Sequence, residues 1–483
     1  MAEASIYICQ NTTRGEEYKM GKVDLINGLI YRIEMNQYRV KNKKATAKLL
    51  KELQKNMKEI LMEDNDEEFF TTFEKMISSS KVEPYITNNT IISKIGDVCE
   101  NIVGFSSEYR YEIRWMIKCI ASAKDIINDF VILREQYDNN ILLNQYDEAL
   151  KFVREIESKY GVSYWSVECK SFLKNHIDDY DEDLLRDLPE NVYGSAVYFF
   201  EFMNRESITS DEYFYLIKKN IDEARGYQGN NRFGVEFLYY IASGNSYEFS
   251  EENLIHVIKI LQHCSIIDRY LFIIRVADEV VASENSTLHA LITQYIGVLS
   301  DIEDDHLKAL IFTYCNEKLE EKNYVLKSRL NEAKSALVKG DLHKSRDQVI
   351  GLLKEFPNNT EAMKLIAEIC ILQEDNVNLF EETNLGKIIK CLCSVYSLDE
   401  NRDDCIEEIS KLTLLCSMSS WSRHLINEVL SRNYNPDSEE YKHCLTIANL
   451  QHLNIETVLA VKEKQECIDF IKSNYSTGML PFR

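Results

Sequence analysis

Apolar residues recur at helical spacing along most of this chain. Ile113, Met116 and Ile120 follow the i, i+3, i+7 order that places side chains on one face of a helix. The same period near the N-terminus predicts helices over residues 23–37 and 44–62. Helix packing, rather than strand pairing, is therefore the first expectation for the fold.

The N-terminal part allows one alternative. Asn27-Gly28 is a dipeptide typical of tight β-hairpins, so a hairpin of short strands competes with the first helix. A serine run followed by a proline, within residues 78–84, is the first candidate boundary. We therefore predict three parts: 1–80 with two helices, 81–320 as a degenerate helical array, and 321–483 with repeats and C-terminal helices.

Capping residues mark further helix starts. Thr209-Ser-Asp-Glu212 and Asp437-Ser-Glu-Glu440 have the form of a capping box or come close to it. Helices of about 12–18 residues alternating with loops of about 2–6 residues are typical of antiparallel αα-hairpins stacked on each other.

Glycine and proline are scarce. The 483 residues include 16 Gly and 5 Pro, where average usage would give about 34 and 24. β-Sandwiches, β-barrels and doubly wound α/β folds need these residues at many turns, so the composition excludes them. A hydrophobic content of 45% is sufficient for a core. The predicted fold class is all-α: stacked antiparallel αα-hairpins forming an α-solenoid, with a small basic N-terminal segment.

The net charge of −23 is unevenly distributed. Residues 1–58 carry 12 Lys+Arg and 6 Asp+Glu, a balance of +6, which leaves −29 for the rest of the chain. An acidic body disfavours nucleic acid, so phosphate contact is expected only through the basic N-terminal segment. Its candidate patch consists of Lys41, Lys43, Lys44, Lys48, Lys51 and Lys55.

Membrane insertion and secretion have no support in the sequence. No apolar run approaches the roughly 20 residues that span a bilayer, and residues 1–7 do not resemble a signal peptide. The 13 cysteines lie mostly in apolar helical patterns and include no Cys-x-x-Cys pair. We expect a cytoplasmic protein with buried, reduced cysteines and neither a metal nor a cofactor.

Two loops concentrate acidic residues, at 176–183 and 301–306. Their carboxylates and histidines are candidate metal ligands. Neither loop has the ligand spacing and turn glycine of a calcium loop, so solvated loops next to helix N-termini are the simpler interpretation.

Residues 326–359 resemble a tetratricopeptide repeat, a helix–turn–helix unit of 34 residues. Ala333 and Ala336 are the small residues of its first helix, Gly340-Asp341 forms its turn, and Ser345 is the small contact of its second helix. Pro357-Asn358-Asn359 ends the unit. A large side chain at Ala333 or Ser345 would push the two helices apart.

The resemblance extends in both directions, is clearest over residues 326–372 and covers about 90 of the 483 residues. Ala367 and Cys370 follow Ala333 and Ala336 at the 34-residue spacing, although Glu374 stands where the turn glycine would be. A half-match at 144–150 lies upstream, with the bulky Tyr137 where a small residue is expected.

In this family, residues of the first helices line a concave groove that holds peptides or partner segments. Carried over, the resemblance implies Lys327, Asn331 and Lys334 in one unit and Lys364 in the next, a set suited to a carboxylate or an acidic peptide. Leu330 stands where the carboxylate-binding subtype has a lysine, which departs from that subtype.

Three functions follow from these observations. The leading hypothesis is a non-enzymatic helical-repeat protein that binds a partner protein or peptide, as scaffold, adaptor, sensor or regulatory subunit. The second is a ligand-sensing regulator that contacts nucleic acid through its basic N-terminal helices. The third is a metal-dependent hydrolase that uses the acidic loops.

Overall fold

The structure is a computed structural model in which every described element is helical. It describes residues 22–36, 43–62, 66–80, 82, 108–177, 254, 255, 257, 258, 261, 264–282, 286–315, 324–373, 380, 382–397, 421 and 425. Within these ranges the chain forms fourteen α-helices and one 3₁₀-helix, and no strand. The all-α prediction is confirmed, and most helices pack on the helix that follows them, as in an α-solenoid.

The first of two compact units contains helices α1 (Lys22–Asn36), α2 (Lys43–Met62) and α3 (Asp66–Ile77), all in mutual contact. The predicted helices at 23–37 and 44–62 are confirmed to within one residue at each end. The alternative β-hairpin is wrong, because Asn27 and Gly28 lie inside α1. The third helix, α3, is an addition to the two predicted for this part of the chain.

Apolar faces hold this first unit together. Ile26, Leu29 and Ile33 of α1 are fully or almost fully buried, and so are Leu53 and Met57 of α2. Their spacing along each helix follows the period from which the helices were predicted.

The second unit contains the other described helices. It begins with α4 (Tyr109–Ser122), α5 (Lys124–Leu142), α6 (Tyr146–Tyr160) and α7 (Tyr164–Lys174), each packed on the next. It continues with α8 (Ile266–Ala282), α9 (Ser286–Tyr295), a 3₁₀-helix (Ile296–Leu299) and α10 (Asp305–Cys315). Helix α8 packs on both α4 and α5, which joins the two stretches of chain into one core.

The last described helices are α11 (Tyr324–Val338), α12 (Leu342–Glu355), α13 (Thr360–Gln373) and α14 (Asn384–Ser397). Each of them packs on the next, α11 also contacts α13, and α14 contacts α5. The end of this helical series therefore returns to a helix from the beginning of the unit.

The hairpin of α11 and α12 is joined by a three-residue turn that contains Gly340. Gly340 has a φ of 81°, a left-handed conformation that glycine adopts without strain. Asp341 caps α12 by accepting a hydrogen bond from the Lys344 amide at 3.2 Å. Ala333 and Ser345 are both fully buried, and the Ser345 hydroxyl donates to the Ala333 carbonyl at 2.8 Å. The small side chains thus bring the two helix backbones close together.

The 34-residue spacing is kept in α13 but lost in α14. Ala367 and Cys370 are buried in α13, as the spacing predicts. The equivalent of Leu342 would start the next helix at residue 376, whereas α14 starts at Asn384. A longer connection therefore takes the place of the three-residue turn that joins α11 to α12.

The upstream half-match is also a helix–turn–helix. Asn144, with a φ of 58°, lies in the short turn between α5 and α6, and Ala149 and Val153 of α6 are fully buried. The bulky Tyr137 is accommodated because its ring contacts the edge of Trp165 of α7, with centroids 5.4 Å apart. The large side chain here serves a contact with a third helix.

Asparagines connect this upstream hairpin to the turns before α13 and α14. The backbone N–H of Asn358 donates a hydrogen bond to Asn139 Oδ1 at 3.2 Å, and the backbone N–H of Asn384 donates one to Asn144 Oδ1 at 2.8 Å. Asn384 Nδ2 donates to the Ile141 carbonyl at 2.9 Å. These bonds fix the N-terminal ends of α13 and α14 at the last turn of α5.

We expect Ala333→Leu to loosen the α11–α12 hairpin. The added atoms have no space next to Ser345, and overpacking of this kind destabilises by about 1–3 kcal/mol. Amide hydrogen exchange in α11 and α12 should become faster, while exchange in α4 stays unchanged. Ser335→Leu, at an exposed position of the same helix, is the matched control. Equal exchange in the two variants would contradict the proposed contact.

Candidate functional site

The first candidate site is the exposed face of α11. Lys327, Asn331 and Lys334 follow each other at i, i+4 and i+7, and all three are exposed. This spacing places them on one side of the helix, opposite to the buried Ala336. We call this row, together with Glu361 and Lys364 of α13, the first-helix face.

Helix α13 contributes Lys364, which is half-buried. Because α11 and α13 contact each other, the four residues predicted for the groove lie on neighbouring helices. Leu330, which stands where the carboxylate-binding subtype has a lysine, is 5% exposed and belongs to the core.

Glu361 was missed by the sequence prediction. Its Oε2 atom lies 2.8 Å from Lys334 Nζ, in an ion pair that crosses from α13 to α11 with both side chains about half exposed. Glu361 stands 34 residues after Lys327, and this spacing was the only signal that could have placed it on the face. The first-helix face therefore holds an internal carboxylate next to its lysines.

The basic N-terminal patch is described only in part. Lys48 and Lys55 of α2 are exposed, and Lys55 Nζ lies 3.9 Å from Glu59. Lys41 and the side chains of Lys43, Lys44 and Lys51 lie outside the described residues. The described lysines form no arrangement that indicates a particular ligand.

The acidic loop at 301–306 is fully described, and it is engaged with other side chains. Asp301 pairs with Lys124 at 2.5 Å, and Glu303 pairs with Lys308 at 2.6 Å. Asp304 turns into the core. In the described ranges no group of three or more His, Cys, Asp or Glu residues is arranged to hold a metal ion. Of the other acidic loop, residues 178–183 lie outside those ranges.

Asp304 is the centre of a buried polar cluster. Its Oδ2 accepts a hydrogen bond from Arg134 of α5 at 2.9 Å and another from the Tyr270 hydroxyl of α8 at 2.8 Å. Its Oδ1 accepts from the amides of His306 and Leu307, the first turn of α10. One carboxylate thus joins three helices.

The surroundings in this cluster shift the pKa values of Asp304 and Tyr270. Burial alone would raise the pKa of the Asp304 carboxyl, but the Arg134 guanidinium and the Tyr270 hydroxyl hold it well below its usual range. Burial and the Asp304 charge raise the pKa of Tyr270 well above that of a free tyrosine. The pair is therefore charged, and Tyr270 neutral, at any physiological pH.

A second buried cluster lies on α4. Arg114 and Lys118 are 4% and 2% exposed. The Arg114 guanidinium carbon lies 4.8 Å from the centroid of the Tyr295 ring, and Lys118 Nζ lies 5.9 Å from it. Burial, with Arg114 as a second cause, lowers the pKa of Lys118 to about 8. Strongly shifted groups are common at functional sites, but they also occur in structural clusters.

None of the helices that the structure describes combines the length and apolar content needed to span a bilayer. Compared with protein-family models, curated proteins and solved structures, the chain shows no significant match.

We expect Asp304→Asn to destabilise the second unit by about 3–5 kcal/mol at pH 7, because it removes the carboxylate that is hydrogen-bonded to the buried Arg134 guanidinium. The side-chain oxygen of asparagine can still accept hydrogen bonds from the backbone N–H groups of His306 and Leu307. The loss of stability therefore reports the removal of the negative charge. Asp301→Asn removes an exposed ion pair and should change stability by less than about 1 kcal/mol. Urea unfolding followed by circular dichroism measures both.

The same two variants test the sign of the pH dependence. The pKa of Asp304 is lower in the folded than in the unfolded chain, so its contribution is present above the unfolded value of about 3.9 and is lost as the pH falls below it. The difference between wild type and Asp304→Asn should therefore shrink below about pH 4. A difference that does not change with pH would contradict the assignment.

Lys118 provides a prediction at alkaline pH. The folded chain loses this proton near pH 8, before the unfolded chain does, so the free energy of unfolding should rise as the pH increases from about 8 to 10. Lys118→Met should lack this rise, and the exposed control Lys124→Met should retain it. Parallel pH profiles in all three proteins would show that Lys118 is not the titrating group.

Proposed function

We propose that this chain is a tetratricopeptide-like helical-repeat protein that binds a partner protein or peptide through its first-helix face, as a scaffold, adaptor, sensor or regulatory subunit. The observation that carries the proposal is the α11–α12 hairpin with its buried Ala333–Ser345 contact and its exposed row of Lys327, Asn331 and Lys334. A row of polar side chains on a rigid helix is a suitable recognition surface.

The Lys334–Glu361 ion pair on this face supports the proposal that the partner segment is acidic. An exposed pair such as Lys334–Glu361 stabilises a protein by only about 0–1 kcal/mol. A carboxylate of a partner can therefore replace Glu361 at Lys334 with little loss. On this proposal the Glu361 carboxylate stays paired with the Lys334 ammonium group until the partner binds.

The two other functions have weaker support. A metal-dependent hydrolase would need the carboxylates of 301–306 to converge, whereas they pair with Lys124, Lys308 and Arg134. A regulator that binds nucleic acid would depend on the N-terminal lysines, of which Lys48 and Lys55 are the exposed ones described.

A reducing, cytoplasmic compartment is part of the proposal. The seven cysteines in the described part of the chain form no disulfide bond with one another, and five of them are buried. Burial as small apolar side chains needs no oxidising environment. In Cys393, burial is the main reason that the pKa of the thiol is raised to about 12, which keeps it protonated.

Charge reversal of the face tests the proposal. We expect the double variant Lys327→Glu/Lys334→Glu to weaken capture of the native partner at least tenfold, because two attractive contacts become repulsive. The tagged full-length chain would be purified from its native cells, and co-purifying proteins quantified by mass spectrometry and gel filtration.

The matched control is Lys344→Glu/Lys354→Glu, which reverses two exposed lysines of α12. This control should capture the partner as the wild type does. A chain that elutes alone from its native cells, or equal losses in the two double variants, would refute partner binding by the first-helix face.

A further inference from the structure

Helix α2 carries a row of lysines along one side. Its 20 residues include six lysines and two glutamates. The side chains of Lys48 and Lys55, considered alone, indicate no ligand, but the register of the helix adds three lysines to their row. At about 100° per residue, lysines at i, i+4, i+7, i+11 and i+14 fall within an arc of about 80°. We call these residues the α2 lysine row: Lys44, Lys48, Lys51, Lys55 and Lys58.

The opposite side of α2 is its buried side. Five apolar side chains of this side are at most 5% exposed: Leu49, Leu50, Leu53, Met57 and Ile60. Their arc is centred about 180° from the centre of the lysine row. Packing on α1 and α3 therefore fixes the rotation of α2 about its axis and leaves the row on the outer side. Lys48 and Lys55 are accordingly exposed, the Lys55 side chain to 72%.

Two carboxylates of α2 flank the row. Glu52 and Glu59 are half-buried and stand about 60–80° from its centre. Lys55 Nζ lies 3.9 Å from Glu59, in an i, i+4 pair that is open to water. Exposed pairs of this kind contribute little stability, and the order with lysine before glutamate is the less favourable one. The pair therefore does not prevent Lys55 from contacting another anion.

The geometry of the row selects this anion. The ends of the row are 14 residues apart, or about 21 Å along the helix axis. Over the same distance one strand of a nucleic-acid duplex presents about six phosphates, one for roughly every 3.4 Å of duplex axis. A duplex of any sequence thus offers a continuous line of negative charges to the five lysines. A protein surface would need several carboxylates placed in the same line.

Two other polyanions fit the row less well. Helix α2 contains no aromatic residue on which the bases of a single strand could stack. Stable binding to an anionic bilayer combines a polybasic patch with an inserted apolar group. The apolar face of α2 is buried inside the first unit and cannot supply this group.

We propose that the α2 lysine row is a binding site for the phosphate backbone of double-stranded nucleic acid, independent of base sequence. Phosphate contacts position a protein on a duplex but carry no sequence information. The row belongs to the first unit, whereas the first-helix face belongs to the second, so this inference does not rest on the proposed partner binding.

Fluorescence anisotropy of the full-length chain with a labelled DNA duplex of about 25 base pairs tests the site. Five phosphate contacts predict a slope of about −4.5 when the logarithm of the association constant is plotted against the logarithm of the salt concentration. Lys48→Gln/Lys55→Gln removes two contacts, so the slope should change to about −2.7 and the affinity at about 50 mM salt should fall at least tenfold. Duplexes of unrelated sequence should bind equally well.

The matched control is Arg32→Gln/Lys75→Gln, which removes two exposed positive charges from α1 and α3 of the same unit. This control should bind the duplex with the slope of the wild type. Circular dichroism verifies that both double variants are folded. Absence of binding by the wild type at about 50 mM salt, or equal losses in the two double variants, would overturn the inference.

Competition identifies the occupant of the row. At equal concentrations of negative charge, unlabelled duplex should displace the labelled duplex more effectively than polyglutamate or vesicles that contain phosphatidylserine. If polyglutamate or the vesicles compete better, and lose this advantage in Lys48→Gln/Lys55→Gln, the occupant is an acidic protein or a bilayer, and the inference is overturned.

Discussion

The buried ion pair between Arg134 and Asp304 is a contact on which the arrangement of three helices in the second unit depends. Both groups are buried, so each would be strongly destabilising without the other. Asp304 also caps α10 and accepts a hydrogen bond from Tyr270 of α8. The Asp304 carboxylate therefore joins α5, α8 and α10 at one buried point.

Helix α5 connects the buried charges to the proposed binding face. Near its start, Lys124 and Asn128 hold the loop at 301–303; in its middle, Arg134 holds Asp304. Near its end, Asn139 Oδ1 accepts a hydrogen bond from the backbone N–H of Asn358, in the turn before α13, the helix that carries Glu361 and Lys364. The position of α13, and with it one half of the first-helix face, is therefore set in part by a contact outside the α11–α12 hairpin.

Sequence patterns predicted the features that depend on neighbours along the chain. The apolar period predicted α1 and α2, and the glycine at position 340 predicted the turn of the α11–α12 hairpin. Features that depend on distant residues were missed: Arg134 and Asp304 are 170 positions apart, and no local pattern relates them. Helix α3 was missed although its apolar residues follow helical spacing: Phe69, Phe70, Phe73, Met76 and Ile77. The start of α14 was also missed, although Thr383 caps this helix by accepting a hydrogen bond from the backbone N–H of Gly386.

The asparagine contacts at the end of α5 and in the turn that follows it also have a consequence for synthesis of the chain on the ribosome. Asn139 and Asn144 bind residues that follow them by 219 and 240 positions. At about 5–20 residues per second, roughly 10–50 s pass before those partners are translated. During this interval the end of α5 is exposed to water and to any chaperone present. The upstream hairpin thus reaches its final environment only when translation has passed α14.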